Sequence, residues 1–384
     1  MYPNLYYAFK DLFGVDLPPL RFVNSFGFFV AISFLVAAAI LSSELRRKSK
    51  QGLLQPTEME VTVGQPASAG ELITNFLLGF VLGYKILALF FMSSDATQDP
   101  QTFIFSGMGS WPLGIGLGLL FAGLKWWEKR KQQLERPEKR KLRIWPEDRV
   151  GEITILALVF GLVGAKLFDI FENWSDFLEH PAAYLFSPSG LTFYGGLICA
   201  AIAIIVYARK HKIPIVHLAD SVAPALMIAY AIGRIGCQVA GDGDWGIVNT
   251  QPNPISWLPD WMWSYNFPHN VNEVGVPIPG CVGKYCFELP QPVYPTAFYE
   301  TVVCFILFGI LWAFRKKLRP FGALFALYLI LNGLERFFIE KIRVNNQLDL
   351  FGFHPTQAEV ISTGLVITGI ALWIYLIQKN KARA

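Results

Sequence analysis

Residues 233–246 read GRIGCQVAGDGDWG, and they close a long apolar segment that begins near Leu218. The segment is long enough to cross a bilayer, and Arg234 lies roughly two thirds or more of the way along it. An arginine inside a bilayer costs about 2.5 to 3.5 kcal/mol even on lenient insertion scales, so Arg234 is expected to have a partner. Gly233 and Gly236 let a helix, a backbone segment or a lipid headgroup come close. A guanidinium at headgroup depth suits a phosphate, because its rigid fork of donors matches phosphate oxygens.

The composition of the whole chain indicates a polytopic membrane protein. Of 384 residues, 53% are hydrophobic and only 16% are charged, and the mean hydropathy is +0.39. We therefore expect an all-α fold, a polytopic helical bundle with about nine transmembrane helices. The apolar runs lie near residues 25–44, 72–92, 107–126, 151–171, 191–207, 217–240, 297–314, 321–340 and 357–378.

Clusters of Lys and Arg follow every second apolar run and predict the orientation of the chain. Such clusters collect in cytoplasmic loops, so we expect the N-terminus outside and the C-terminus in the cytoplasm. This accounts for the net charge of +4 without nucleic acid. A basic nucleic-acid arm at residues 125–149 is the alternative. The first apolar run is too long for a cleavable signal peptide, and basic residues follow it instead of preceding it.

Two apolar segments early in the chain share a pattern. Glu71, Gly83, Lys85 and Phe90 recur at a constant offset, and the matching residues are Glu152, Gly164, Lys166 and Phe171. Duplication of a helix and the shared composition of membrane helices are both consistent with these matches. Polar linkers lie on either side of the first segment, at residues 50–70 and 128–149.

The longest predicted external segment, residues 242–294, is rich in Trp, Pro and Gly. Its aromatic residues suit a membrane interface, where they form either a small lid or ordinary interfacial anchors. Cys281 and Cys286 lie in its CVGKYC stretch. A local disulfide is favoured over zinc, because the exterior is oxidising and His269 is the single imidazole nearby. We expect no metal.

Three further polar motifs fall at the external face of the predicted topology. They are FYGG with Tyr194, Gly195 and Gly196, YPTAFYE with Tyr299, and NGLERFFIEKIR at residues 332–343.

In the last of these motifs, Asn332, Arg336, Glu340 and Arg343 share one helix face. Arg336 and Glu340 are spaced to pair, which lowers the insertion cost of both. A salt bridge that only holds helices together is one explanation of that pair. Separate arginines, tyrosines and an acidic loop at one depth favour a site for an anionic lipid headgroup.

Together, GRIGC with GDGDWG, FYGG, YPTxxYE and RFxxExxR resemble the prolipoprotein diacylglyceryl transferase family. The resemblance covers residues 150–378 well, and the first helix with its Phe26–Gly27 pair loosely. It implies a first transmembrane helix in residues 1–49 and an inserted helical pair with basic cytoplasmic linkers in 50–149. Residues 150–384, including the external loop 242–294, would form the catalytic core.

The resemblance implies transfer of the diacylglyceryl group of phosphatidylglycerol to the lipobox cysteine thiol of a prolipoprotein signal peptide. Glycerol 1-phosphate is released, as the first step of lipoprotein maturation. No cofactor and no nucleic acid are expected. The implied location is the bacterial cytoplasmic (inner) membrane, with the active site near the outer leaflet.

Site roles follow from the same resemblance. Arg234 matches the family's GRxG arginine and would clamp the lipid phosphate, while Arg336 would stabilise the departing phosphate with Glu340 orienting it. Tyr194 and Asp242 complete the predicted catalytic set. The predicted substrate-binding residues are Arg234, Gly233, Gly236, Gly195, Gly196, Tyr299, Asn332 and Arg343.

The chain departs from the family pattern at the position of the general base. Tyr194 stands where many members have His, and no His falls inside a predicted span, so a histidine base at this motif is excluded. A tyrosine hydroxyl has a pKa of about 10, which is about three units above neutral pH. Tyr194 would therefore need strong activation to act as a base. Cys237 replaces a common Asn, and the acidic role is shifted to Asp242 or Asp244.

Three other functions are consistent with arginines at headgroup depth. An anionic-lipid transporter or flippase should show polar groups at the midplane, whereas those of this chain crowd one leaflet. A non-catalytic lipid-binding protein would tolerate loss of the Arg336 and Glu340 face. Another lipid-headgroup transferase is the nearest enzymatic alternative.

Overall fold

The computed structural model describes residues 1–88, 103, 107–186, 190, 192–345, 348–349 and 352–381, and this part of the chain is mostly helical. A short helix, α1, precedes the first long one. The helices are α1 Leu5–Phe13, α2 Ser25–Lys50, α3 Ala69–Val81 with a π-helical continuation Leu82–Leu87, α4 Trp111–Lys131, α5 Val150–Glu172, α6 Trp174–Glu179, α7 Pro181–Phe186, α8 Phe193–Lys210, α9 Ile215–Ala240, α10 Thr296–Phe314, α11 Ala323–Glu340 and α12 Gln357–Lys381.

Seven helical segments in the described part of the chain are long and apolar enough to cross a membrane, which agrees with a polytopic helical membrane protein. The other two predicted spans are the helices α4 and α11. Glycine and tryptophan make α4 less apolar, and α11 carries Glu335, Arg336 and Glu340. The total of nine transmembrane helices and the orientation stay predictions. The seven segments are Ser25–Lys50, Ala69–Leu87, Pro146–Glu172, Phe193–Lys210, Ile215–Ala240, Thr296–Phe314 and Gln357–Lys381.

Two short β-ribbons depart from the all-α prediction. The strands β1 (Thr57–Val63) and β2 (Glu138–Ile144) pair antiparallel within the stretches predicted as polar linkers. Two acidic residues of β1 lie opposite basic residues of β2, Glu58 opposite Arg143 and Glu60 opposite Lys141, a pairing that stabilises a ribbon. The second ribbon joins β3 (Val276–Pro277) to β4 (Phe287–Glu288) in the external loop.

Helix α9 lies at the centre of the bundle. Its most apolar stretch is 56% buried, whereas the other six spanning segments are only 11% to 22% buried. Its small residues Ala223, Ala225 and Ala231 let α2, α10 and α11 approach closely, which is how helices associate where lipid removes the hydrophobic driving force. The helix that carries Arg234 is therefore the one most enclosed by protein.

The α3/α4 and α5/α8 pairs share a geometry. A Cβ atom on Gly83 would lie 2.2 Å from a backbone oxygen of α4, and one on Gly164 would lie 2.6 Å from a backbone oxygen of α8. Lys85 and Lys166 both donate to carbonyl oxygens of the segment that follows, and both lie over an aromatic ring. This shared geometry favours duplication over shared composition. Phe90, the fourth match, lies outside the described residues.

The external loop packs onto the end of α9. Phe267, Leu289 and Val293 form an apolar cluster against which Trp245 and the N-terminal residue pack. The terminal ammonium donates to the Pro268 carbonyl (2.9 Å), which ties the start of the chain to this loop.

Two observations bear on the sequence predictions for this loop. A disulfide bond joins Cys281 and Cys286 between β3 and β4. Trp257, by contrast, is 81% exposed, as expected for an interfacial anchor. The loop thus combines a packed cap with outward-facing aromatic residues.

Candidate active site

Three guanidinium groups converge on the carboxylate of Glu300, in the first turns of α10. Arg234 Nε of α9 lies 2.9 Å from Glu300 Oε2, and Arg336 Nη1 of α11 lies 3.0 Å from Oε1. Arg343 Nη1, just beyond α11, lies 3.4 Å from Oε2. Tyr230 also donates its hydroxyl to Oε1, at 3.1 Å. Because the Glu300 side chain is 0% exposed, these ion pairs are sheltered from water and hold three separate helices in one arrangement.

Asp244 is the second carboxylate of this arrangement and forms ion pairs with Arg234 and Arg343. Burial alone would raise the pKa of Asp244, but the two neighbouring guanidinium groups lower it to about 2. Asp244 is therefore ionised throughout the physiological pH range.

The third carboxylate is Glu340, which lies 2.9 Å from Arg336 Nη2. The i, i+4 pairing expected from the sequence is thus present, but it is only part of a larger set. We call Arg234, Arg336 and Arg343 with Asp244, Glu300 and Glu340 the arginine network. It contains three cations and three carboxylates, so each buried charge has a partner of opposite sign.

The backbone after α9 brings Asp244 to the arginines. Gly241 ends α9 in a left-handed conformation (φ 65°), and Gly243 has φ 98°, a region that side chains other than glycine rarely adopt. The chain then turns back over the helix end. Gly246 forms a β-bridge with Arg343, so the GDGDWG stretch is joined directly to the end of α11.

Asp242 differs from Asp244, although the sequence left both open for the acidic role. It forms no ion pair with an arginine in the described part of the chain, and its buried Oδ1 has no hydrogen-bond partner there. Burial, and secondarily the charge of Asp244, raises the pKa of Asp242. Asp242 is thus an unpaired carboxylate beside the arginine network.

Asp242, Asp244 and Cys237 have ligand atoms within 4.8 Å of one another, a spacing that could hold a metal ion. The two guanidinium groups bound to Asp244 oppose a divalent cation at this position. The neighbouring guanidinium groups therefore disfavour a metal ion at these three side chains.

The predicted glycines have different surroundings. A Cβ atom on Gly195 would lie 2.3 Å from Phe168 Cβ, and one on Gly196 would lie 2.6 Å from a backbone oxygen of α5, so both serve the packing of α8 on α5. Gly236 packs on α2, where a Cβ atom would lie 3.1 Å from a Phe29 side-chain atom. A Cβ atom on Gly233 would meet nothing within 4 Å, which leaves open space beside Arg234.

Three other predicted residues form no side-chain hydrogen bond or ion pair with the arginine network in the described part of the chain. The Tyr194 ring contacts Phe193, and its hydroxyl has no hydrogen-bond partner among the residues that the structure describes. Tyr299 donates its hydroxyl to the Trp263 carbonyl of the external loop (3.3 Å). The Asn332 side chain makes no hydrogen bond within the same residues.

Glu300 was not predicted as a site residue, although it is the last residue of the YPTAFYE motif. The available signal was an acidic side chain at the start of an apolar segment, which is rare unless it is paired or functional. Tyr230, four residues before Arg234 on α9, carried no such signal. Its role depends on the neighbouring helix that brings Glu300 to it.

The chain is similar in sequence to proteins of one family. A family model described as prolipoprotein diacylglyceryl transferase matches residues 111–375, a range that begins with the first residue of α4. A phosphatidylglycerol–prolipoprotein diacylglyceryl transferase of Dehalococcoides mccartyi is 32% identical over 238 residues, which are 61% of this chain and 79% of the relative. One of Clostridium novyi is 32% identical over 236 residues (61% and 82%), and one of Leptospira interrogans is 29% identical over 234 residues (54% and 66%).

Proposed function

The chain belongs to the prolipoprotein diacylglyceryl transferase family, and on this premise we propose that the arginine network is its catalytic site. The protein is a transferase of lipoprotein maturation that moves a diacylglyceryl group from phosphatidylglycerol to a prolipoprotein. The observation that carries the assignment of the site is the convergence of Arg234, Arg336 and Arg343 on the buried Glu300. Ionisable side chains inside a membrane are rare and mark functional sites, even where they pair with one another.

Phosphatidylglycerol enters this network by replacing a carboxylate. The side chain of Asp244 is 29% exposed, whereas those of Glu300 and Glu340 are 0% exposed. A phosphate oxygen therefore takes the position of Asp244 beside Arg234 and Arg343, and the two buried carboxylates keep the guanidinium groups in place. The open space next to Gly233 admits the headgroup on the side of Arg234. A preformed set of donors of this kind binds a phosphodiester without reorganising.

The transfer step needs a proton acceptor and a cation at the leaving group. The thiol of the acceptor cysteine attacks the glycerol carbon that bears the phosphate, so a carbon–sulfur bond forms and the carbon–oxygen bond to the phosphate breaks. Asp242 takes the thiol proton, because its carboxylate forms no ion pair with an arginine, and burial raises its pKa and so its proton affinity. Arg336, oriented by Glu340, stabilises the charge that develops on the departing glycerol 1-phosphate.

These contacts support Asp242 over Tyr194 as the proton acceptor. Tyr194 lies on α8, which packs mainly against α5, and its hydroxyl has no described partner that would favour ionisation. A carboxyl group ordinarily ionises at a far lower pH than a phenol, so Asp242 is the stronger candidate. The sequence placed Tyr194 in the catalytic set, and that role stays a prediction.

We further propose that the protein lies in the bacterial cytoplasmic (inner) membrane with the arginine network near the outer leaflet. The N-terminus would be outside and the C-terminus in the cytoplasm. The basic clusters support this orientation, because those that follow α2, α8 and α10 lie at the helix ends away from the network.

The test uses purified protein with phosphatidylglycerol and a synthetic lipobox peptide. We expect the peptide to gain the mass of one diacylglyceryl group on its cysteine, with release of glycerol 1-phosphate. A peptide with Ser in place of that Cys is the matched control and should stay unmodified. Unmodified cysteine peptide, together with lipid movement across vesicle membranes, would instead support a transporter. Modification of a different acceptor would indicate another headgroup transferase.

A further inference from the structure

A second cluster of buried charges lies at the other end of α2 and α9. A small hollow there is lined by five basic residues from the ends of α2 and α10 and the start of α11: Arg47, Lys48, Arg315, Lys316 and Arg319. We call it the basic hollow. Its closed part holds about 10 Å³, the space of about one water molecule, so a larger ligand would bind at its mouth.

Two guanidinium groups of the basic hollow share a single carboxylate. Arg47 Nη2 lies 2.7 Å from Glu44 Oε2, and Arg315 Nε lies 2.9 Å from Glu44 Oε1. Lys48 lies 3.9 Å from Asp220 and donates to the His217 carbonyl (2.7 Å). Asp220 in turn accepts hydrogen bonds from two backbone amides at the start of α11, so it is already occupied. One positive charge therefore remains uncompensated among the buried groups.

The other two cations add to this excess. Lys316 and Arg319 are exposed, and neither forms an ion pair within the described ranges of the chain. The Arg319 guanidinium lies 4.0 Å from the centre of the Phe321 ring, which holds it at the mouth of the hollow. The basic hollow thus carries five cations against two carboxylates, Glu44 and Asp220.

We propose that the basic hollow binds a phosphate group, and that its source is the headgroup of an anionic phospholipid in the leaflet opposite the arginine network. Three uncompensated cations at the end of transmembrane helices attract such headgroups. The Arg315 guanidinium lies 3.5 Å from the centre of the Trp312 ring. Because tryptophan concentrates at headgroup depth, this contact makes a lipid the expected source rather than phosphate from solution.

This lipid site is separate from the catalytic one. Asp220 and Arg234 lie on the same helix 14 positions apart, which corresponds to about 20 Å along the axis. A lipid at the basic hollow neither contacts the arginine network nor competes with the substrate lipid. It would instead hold the ends of α2, α10 and α11 together.

The test compares the full-length wild type with a Lys316→Gln and Arg319→Gln double variant in detergent. The matched control is Arg209→Gln with Lys210→Gln, an exposed Arg and Lys pair at the end of α8 on the same membrane face. Each protein is titrated with dioctanoyl phosphatidylglycerol, and bound lipid is counted by native mass spectrometry. We expect the double variant to bind one lipid fewer, with at least a tenfold weaker apparent affinity for that lipid, and the control to match the wild type.

Two further measurements identify the source of the phosphate and keep this proposal apart from the catalytic one. Inorganic phosphate at the same concentration should not raise the thermal midpoint as the lipid does, and an equal rise would overturn the lipid assignment. Equal lipid counts in wild type and double variant, or equal loss in the control, would refute the site. The double variant should keep full transfer activity, whereas absence of transfer in every protein would contradict the proposed function and leave the lipid count unaffected.

Discussion

The arginine network and the basic hollow are both built around a buried glutamate, but they differ in charge balance. Glu300 is surrounded by three guanidinium groups, and together with two further carboxylates it balances their charge. Glu44 forms ion pairs with two guanidinium groups, which leaves an excess of positive charge in the basic hollow. In the balanced network an anion has to replace a carboxylate, so we expect binding to be selective. The remaining carboxylates keep the guanidinium donors in position before the anion binds. In the basic hollow an anion binds to cations that have no carboxylate partner, which favours lipid binding without catalysis.

The largest expected effect is a difference in transfer rate between variants of Glu300 and of Glu44. Glu300→Gln removes one charge from the centre of the arginine network, and loss of a partner in a buried ion network destabilises by about 3 to 5 kcal/mol. We expect transfer to fall at least about 100-fold and the thermal midpoint to drop. Glu44→Gln should lower the midpoint as well but leave the transfer rate of the folded protein near that of wild type. Equal loss of transfer in the two variants would contradict the separation.

Arg336 should show the next largest effect. Arg336→Ala removes the cation at the leaving phosphate, and we expect transfer to fall about 100-fold or more. It also leaves Glu340 without a partner, so the Arg336→Ala and Glu340→Ala double variant is the informative comparison. If the pair only holds helices together, the double variant should recover most of the rate. We expect it to stay inactive while it inserts and folds normally.

A charge-conserving change should have a smaller effect. Arg234→Lys keeps the positive charge but loses the fork that contacts Glu300 and Asp244 together. We expect transfer to fall about 10- to 100-fold, with normal membrane insertion. Arg47→Lys is the matched change at the basic hollow and should leave the rate close to wild type. A wild-type rate in Arg234→Lys would remove the bidentate phosphate contact from the mechanism.

The smallest effect concerns pH and compares the two loop aspartates. The pKa of Asp242 is raised by burial, so the proton acceptor is lost as pH falls through a value above that of an ordinary aspartate. Asp244, with a pKa of about 2, stays ionised over the same range. Transfer measured between about pH 4 and pH 8 should therefore show an acid limb that belongs to Asp242. Asp242→Asn should lose that limb. An unchanged limb would assign the proton to another group.

Helix positions were predictable because apolar runs of spanning length are a strong signal in a chain of this composition. The ribbon of β1 and β2 was not, since its strands are 74 residues apart in sequence and each reads alone as a charged linker. The pairing of Arg336 with Glu340 followed from helical spacing. The sequence spacing could not decide between Asp242 and Asp244 for the acidic role, because the position of each carboxylate depends on the turn at Gly243.

The amino-acid sequence by itself determined the membrane setting, the helical segments and the family, since these depend on composition, run length and local motifs. It also predicted that Arg234 needs a partner, from the cost of a charge in a bilayer. Only the tertiary structure decided that the partner is Glu300, that Asp244 rather than Asp242 joins the arginines, and that Gly195 and Gly196 pack helices. Ion pairs form only between residues that the fold brings within a few ångströms of one another. The distance between residues on different helices cannot be calculated from their separation in sequence.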